Sequence, residues 1–311
     1  MIAPNDQFQT FLETFPPPVR DCLQNILQTG GMLAAEHCQP VMQALNISAD
    51  DLMLSLLPLA KLYAATRISN FQVGAVAKAR ISDNSDKFAL FLGANIEFPG
   101  QALIQSIHAE QAAVISAWMQ GAVQIDAVAV TAAPCGYCRQ FLYELQNSPN
   151  LTLILQKPDK GEAGKCNLSY LLPEAFGPQE LGSKTGLMVS PDQLPALSLL
   201  PSSNDPFVLE ALAAARNSYA PYSQNFAGCA IKTVDGKMYA GRYAENAAFN
   251  PSLSALQTAI ISLTMDRPGS ETSISRAVLV ERPTSVSQRA VCELFLQTVA
   301  PDVRLEYFEA E

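Results

Sequence analysis

Residues 108–138 read HAEQAAVISAWMQGAVQIDAVAVTAAPCGYC. Ala109, Ala112, Ala113, Ser116 and Ala117 recur at helical spacing, which predicts a helix from Ile107 to about Gly121. Ala127 to Thr131 is a short apolar run of strand type, and Pro134 suits the first position of a following helix. Helix, strand and helix in close succession predict an α/β domain.

The same alternation extends on both sides. Ser48 and Asp51 have the form of a capping box that opens a helix through Leu52, Leu56, Leu59 and Tyr63. Phe71 to Ala77 and Phe88 to Ala94 read as strands separated by the polar turn ISDNSD at 81–86. Residues 1–50 read as a small helical segment, stopped at Pro16 to Pro18 and again at Gly30 and Gly31. Residues 157–206 hold seven of the 21 prolines and read as a connection with short ordered pieces.

Beyond that connection the pattern restarts. A helix from about Asp205 to Tyr219 precedes NFAGCAI (225–231), which echoes NFQVGAV (70–76) and sets Asn225 beside Asn70. Glu245 matches Glu97, SALQTA (254–259) matches HAEQAA (108–113), and AVLV (277–280) matches AVAV (127–130). The chain reads as a duplication with a helical segment at 1–50, a first domain at 51–160, a linker at 161–205 and a second domain at 206–311.

Composition agrees with two packed units. At about 150 residues per domain, 311 residues imply two, and 49% hydrophobic with 16% charged residues excludes disorder. Twenty Lys plus Arg against 29 Asp plus Glu give a net charge of −9 with no dense basic run, which argues against a nucleic-acid or anionic-membrane partner. Met53 to Ala65 is interrupted by Pro58 and Lys61 and is far below the roughly 20 residues of a membrane span. The N-terminus lacks the basic-then-apolar pattern of a secretory leader, so the expectation is a cytoplasmic chain with reduced cysteines.

The seven cysteines are odd in number and scattered; only Cys135 and Cys138 are close enough to suggest chemistry. The others are expected as buried small hydrophobes, and Trp118 as core. His108, Cys135 and Cys138 can supply three ligands to a tetrahedral Zn²⁺ and leave the fourth position open, as a catalytic site requires. Two helix N-termini would meet there and favour thiolates. Glu110, two residues from His108, is placed as general acid and base. A structural zinc half-site or a redox Cys-x-x-Cys are the other readings, but the redox one leaves His108 and Glu110 idle. The only other histidine, His37, lies in the helical segment as a packed or solvated residue.

These residues carry the H-x-E and P-C-x-x-C signature of the zinc-dependent cytidine deaminases, which the chain resembles. NFQVGAVA (70–77), GANIEF (93–98), HAEQAAVISAW (108–118), TAAPCGYCRQFLYEL (131–145), PYSQNFAG (221–228) and YAENAAFNP (243–251) all look like segments of that family, in its two-domain bacterial form. The resemblance implies a duplicated three-layer α-β-α fold, each mixed sheet flanked by helices. It implies one Zn²⁺ per chain on His108, Cys135 and Cys138, with Glu110 moving protons. Asn95 and Glu97 would bind the ribose hydroxyls and Phe71 would pack on the pyrimidine. On pattern alone Phe71 is a core strand residue and Asn95 and Glu97 are solvated at a strand end. The implied activity is hydrolysis of cytidine and 2′-deoxycytidine to the uridine products and ammonia, in pyrimidine salvage. The implied assembly is a homodimer whose neighbouring subunit borders each site. A deaminase of cytidine monophosphate or of polynucleotides, or a non-catalytic zinc or nucleoside module, are the alternatives. In the second copy Ser254 and Leu256 replace His108 and Glu110, and RPTSVSQ (282–288) replaces the cysteine segment, so no second metal is expected.

Overall fold

The computed structural model describes residues 4–82, 87–156, 163–189, 194–269 and 273–311. The N-terminal segment forms α1 (Pro4–Leu12), α2 (Pro17–Gln24), the short strand β1 (Met32–Leu33) and α3 (Ala35–Leu45). The first copy follows as α4 (Ala49–Lys61), β2 (Gly74–Arg80), β3 (Phe88–Ala94), α5 (Ala109–Met119), β4 (Gln124–Val130), α6 (Gly136–Leu142), β5 (Thr152–Leu155), β6 (Gly164–Asn167) and α7 (Leu168–Leu171). The second comprises β7 (Leu199–Leu200), α8 (Pro206–Arg216), β8 (Ala227–Thr233), β9 (Met238–Arg242), α9 (Ala255–Asp266), β10 (Ile274–Glu281), α10 (Arg289–Val299) and β11 (Leu305–Ala310).

The first sheet has the order β1-β3-β2-β4-β5-β6 and the second β7-β11-β10-β8-β9. In each, one neighbouring pair is parallel, β4 with β5 and β10 with β11, and the rest are antiparallel. Read from β3 and from β9, the two orders coincide strand for strand. The copies differ at their edges. The helical segment adds β1 to the first sheet, and the stretch read as a linker supplies β6 to the first sheet and β7 to the second. The turn expected at 81–86 lies largely outside the described residues, as does part of the linker.

Two glycines show why each sheet carries helices on both faces. Gly74 pairs with Ala94 and Ala75 with Gly93, so Gly74 and Gly93 face opposite sides. A Cβ on Gly74 would meet the backbone of α4, and one on Gly93 would lie 2.2 Å from the Ala113 nitrogen of α5. Gly241 repeats the second arrangement against Ala259 of α9. This is the expected three-layer α-β-α fold, made twice.

The registers correct one alignment. Ala75 faces Gly93 and Cys229 faces Gly241, and the left-handed residues are Asn70 (φ 56°) and Gln224 (φ 57°). Asn70 therefore corresponds to Gln224, one residue earlier than the echo of NF suggests.

The Ser48 and Asp51 capping box is present. The expected helix at 107–121 forms two residues inside each boundary, with His108 as N-cap. Pro134 lies outside α6, whose N-cap is Cys135. Trp118 is buried, with the Arg242 guanidinium over its ring at 5.4 Å. Cys38, Cys229 and Cys292 are buried as expected, but Cys22 on α2 and Cys166 on the edge strand β6 are half-exposed.

Every residue of α5 from Ala109 to Trp118 is buried, because the helix lies between its own sheet and α9. Each helix bonds the segment that leads into the other: the Gln257 side-chain amide donates to the Gln105 carbonyl at 3.0 Å, and the Gln111 side-chain amide approaches the Pro251 carbonyl at 3.5 Å. One apolar cluster runs from Phe8 through both copies to Ala300. A smaller one lies under α8, between Phe207, Val208, Ala211, Val278 and Val280. Among the described residues no helix is long and apolar enough to cross a membrane.

Candidate metal centre

The N-termini of α5 and α6 converge. As N-cap residues, His108 and Cys135 are held at the points where chain direction changes, and Cys138 lies in the first turn of α6. The backbone amide of His108 donates to the Gln111 carboxamide oxygen at 3.0 Å, which fixes this entry. The His108 Nδ1 lies 3.5 Å from Cys135 Sγ and 3.2 Å from Cys138 Sγ, and all three donor atoms fall within 4.8 Å of one another. For a tetrahedral zinc with bonds of about 2.0 to 2.3 Å, nitrogen and sulfur ligands stand about 3.6 Å apart. The donor set fits that ion in kind and spacing, and it is the only such group among the described residues.

The charge state of the sulfurs suits a cation. The Cys138 thiol donates to Cys135, which, with the amides of Cys138 and Tyr137 and despite partial burial, brings Cys135 down to about 5. Cys138, which donates that hydrogen bond and is buried, is pushed up correspondingly. Together they hold one proton that a metal ion would displace. Glu110 is 4% exposed, and burial pushes its carboxyl above the usual range against the pull of its own amide and of His108. A carboxyl raised that way is suited to exchange protons with a bound reactant.

The loop at 68–73 is the nearby element that sequence patterns misread. Phe71 is not in a strand; β2 starts at Gly74 and Phe71 is 63% exposed. The left-handed Asn70 turns the chain, and the Asn95 side chain takes the place of a strand partner, accepting from the Val73 amide at 2.8 Å and donating to the Phe71 carbonyl at 2.9 Å. Glu97 accepts from the amides of Ile68 at 2.8 Å and Ser69 at 2.9 Å, and from the Ser69 hydroxyl, which in turn accepts from the Phe71 amide at 3.0 Å. Partial burial raises the Glu97 carboxyl, but these donors outweigh it and hold the group below the ordinary carboxylate range. Asn95 and Glu97 are therefore fastened to the loop that carries Phe71, not merely solvated. Ser69 is a residue sequence reasoning missed; its place before the turn-forming Asn70 was the available signal. Tyr137 was also missed: its ring lies 5.5 Å from that of His108 and its hydroxyl donates to the Asn250 carbonyl at 2.5 Å.

Cavities of about 420 and 480 Å³ lie at the far end of α5, around Trp118, Met119 and Arg242, and are lined by none of His108, Glu110, Cys135 or Cys138. The metal centre lies at an open surface, where Cys135 is exposed.

The second copy has the frame without the donors. Ser254 N-caps α9 and accepts from the Gln257 amide at 3.3 Å, in the place of His108. Gln288 N-caps α10 in the place of Cys135. Beside it the buried Glu281 accepts from the Gln288 amide at 2.7 Å, the Ser287 hydroxyl at 2.6 Å and the Tyr307 hydroxyl at 3.1 Å. A network of neutral donors around one carboxylate fills the region.

Residues 47–151 match the family described as "Cytidine and deoxycytidylate deaminase zinc-binding region", and residues 168–293 match a second family of the same description. The chain is 42% identical over 279 residues to the cytidine deaminase of Shewanella oneidensis, covering 89% of this chain and 88% of that one. It is 38% identical over 298 residues to the cytidine deaminase of Aliivibrio fischeri, covering 95% of each. With the cytidine deaminase of Sodalis glossinidius the identity is 42% over 289 residues, covering 89% of each. A duplicated α/β fold, one His-Cys-Cys centre beside a buried glutamate, and likeness along nearly the whole length have one reading: the chain belongs to the cytidine deaminase family.

Proposed function

We propose that the protein hydrolyses cytidine and 2′-deoxycytidine to uridine and 2′-deoxyuridine with release of ammonia, using one Zn²⁺ per chain held by His108, Cys135 and Cys138. The observation that carries this is the convergence of those three donor atoms within 4.8 Å, next to the buried Glu110. Zinc, when bound, supplies the Lewis acidity that makes water a nucleophile near neutral pH. Glu110 takes a proton from the attacking water, delivers it to N3 of the pyrimidine, and carries a second to the departing C4 amine. Water and cytidine thereby balance uridine and ammonia. Glu97 and Asn95, held against the loop at 68–73, face the sugar hydroxyls, and Phe71 covers the pyrimidine.

The first copy is the catalytic one and the second is not. Phe71, Leu103, Ile104 and Phe249, exposed by 63%, 71%, 55% and 67%, support a homodimer, because apolar side chains that large favour a covering partner. The net charge of −9 favours a free nucleoside over a polynucleotide, and the chain is proposed to act in the cytoplasm. The test is loss of cytosine absorbance with cytidine, deoxycytidine, cytidine monophosphate and single-stranded DNA offered separately. Turnover of the two nucleosides is the expected result; turnover only of the monophosphate or of DNA would overturn the substrate assignment, and none at all the activity.

A further inference from the structure

We infer that Glu144 is a positioning residue through which the second copy fixes the helix that carries Cys135 and Cys138. The inference rests on reading those cysteines as zinc ligands.

Glu144 follows the end of α6 by two residues and is 1% exposed. Its Oε1 accepts from the hydroxyls of Tyr219 at 2.7 Å and Tyr222 at 2.5 Å, and its Oε2 accepts from the Ala247 amide at 2.9 Å. All three donors belong to the second copy. Two more bonds cross between the copies, one in each direction: the Asn246 side-chain amide donates to the Gln140 carbonyl at 3.2 Å, and the Tyr137 hydroxyl donates to the Asn250 carbonyl. The seven-residue α6 is thus gripped at Tyr137 and Gln140, and again at Glu144 just beyond its end.

The grip is built from parts that serve another purpose in the first copy. There, Glu97 holds the amides of Ile68 and Ser69 and so presents the loop bearing Phe71. In the second copy Glu245 holds the amides of Tyr222 at 2.8 Å and Ser223 at 3.1 Å, and so presents the Tyr222 hydroxyl to Glu144. The reverse contact, of residues 98–101 of the first copy on α10, is of a different kind. It is led by the Phe98 and Phe295 rings at 4.4 Å and by the Gln101 amide on the Leu294 carbonyl at 2.9 Å. Counted from the helix N-caps, the counterpart of Glu144 is Gln297, which is exposed. At this position α10 has an exposed amide where α6 is followed by a buried carboxylate.

A short helix transmits a shift at Glu144 to Cys138, and metal affinity depends on ligand position to a fraction of an ångström. Glu144→Gln sets an NH₂ group against at least one of the three donors. It is expected to weaken zinc binding about tenfold or more, the usual effect of losing a group that orients a ligand. The experiment measures zinc affinity by chelator competition on the full chain, and the cobalt-thiolate absorption of the Co²⁺-substituted protein. The variants are Glu144→Gln and, as one that keeps the ring and the packing, Tyr222→Phe. Weaker zinc binding and altered cobalt bands in both, with the zinc-free melting temperature of Tyr222→Phe near that of the parent, are the expected outcome. Parent-like affinity and parent-like bands in either variant would overturn the inference. Failure of the zinc reading itself is distinguishable, since then the parent would bind no zinc, or would bind it undiminished after Cys138→Ala.

Discussion

Glu110 sits where burial keeps a proton available and His108 lies two residues away, so its removal separates metal holding from proton transfer. Glu110→Ala is expected to keep a full complement of zinc and to lose about 10² to 10⁴ in turnover, as read by metal analysis beside a cytidine assay. Near-parent turnover would remove the role. Glu97 is different in kind, because its carboxylate is tied to Ile68 and Ser69 and would act through the loop as well as on the proposed substrate. Glu97→Ala is expected to raise the KM for cytidine at least about tenfold, the weight of one hydrogen bond to a charged group, while zinc content stays intact. An unchanged specificity constant would take Glu97 out of the site.

At the scale of elements, close packing makes sharp demands. Gly93→Ala would put a Cβ 2.2 Å from the Ala113 nitrogen and 2.5 Å from the Ala109 carbonyl, and is expected to cost about 3 kcal/mol or more. Gly136→Ala, where a Cβ meets nothing within 4 Å, should be nearly neutral. Denaturant midpoints of the pair check this, and equal midpoints would refute it. The turn after β8 has a pH dependence of definite sign. Asp235, hydrogen-bonded first by Thr233 and then by Arg267, is held down at about 2. Its contribution to stability is complete above the ordinary aspartate range near 4 and is lost as pH falls toward 2. The stability gap between the parent and Asp235→Asn should therefore narrow in urea titrations as pH drops below about 4; a gap that widened would be the wrong sign.

Much of this was legible in the chain. His108, Glu110, Cys135 and Cys138 stand in two short segments whose residue types have few other joint uses, and the central helices and strands are long enough to show their period. What stayed hidden has physical causes. β1, with two residues, and β6, with four, are too short for alternation to register. The role of Asn95 as a side-chain substitute for a strand neighbour depends on a partner 22 residues away. Glu144, a lone acid between Tyr143 and Leu145, gave one unused signal: an acid in an apolar run is either at the surface or held by donors from elsewhere.

For the whole molecule, the count of metal ions tests the duplication directly. Ser254 at the cap of α9, Leu256 in place of Glu110, and Gln288 at the cap of α10 leave the second copy without a donor set. Elemental analysis of purified protein is expected to give one zinc per chain, and a ratio near two would refute the reading. Removing that zinc should lower the melting temperature, as loss of any ligand bound only by the folded state does.

The apolar cluster that passes from Phe8 to Ala300 without stopping between the copies also fixes how the molecule comes apart. Two units with separate interiors melt separately, whereas units that share one interior melt as a single cooperative event. Heat tolerance is then a joint property. A cavity opened beneath α9 would lower the temperature at which the half bearing His108, Cys135 and Cys138 fails, so each half sets a thermal ceiling for the other.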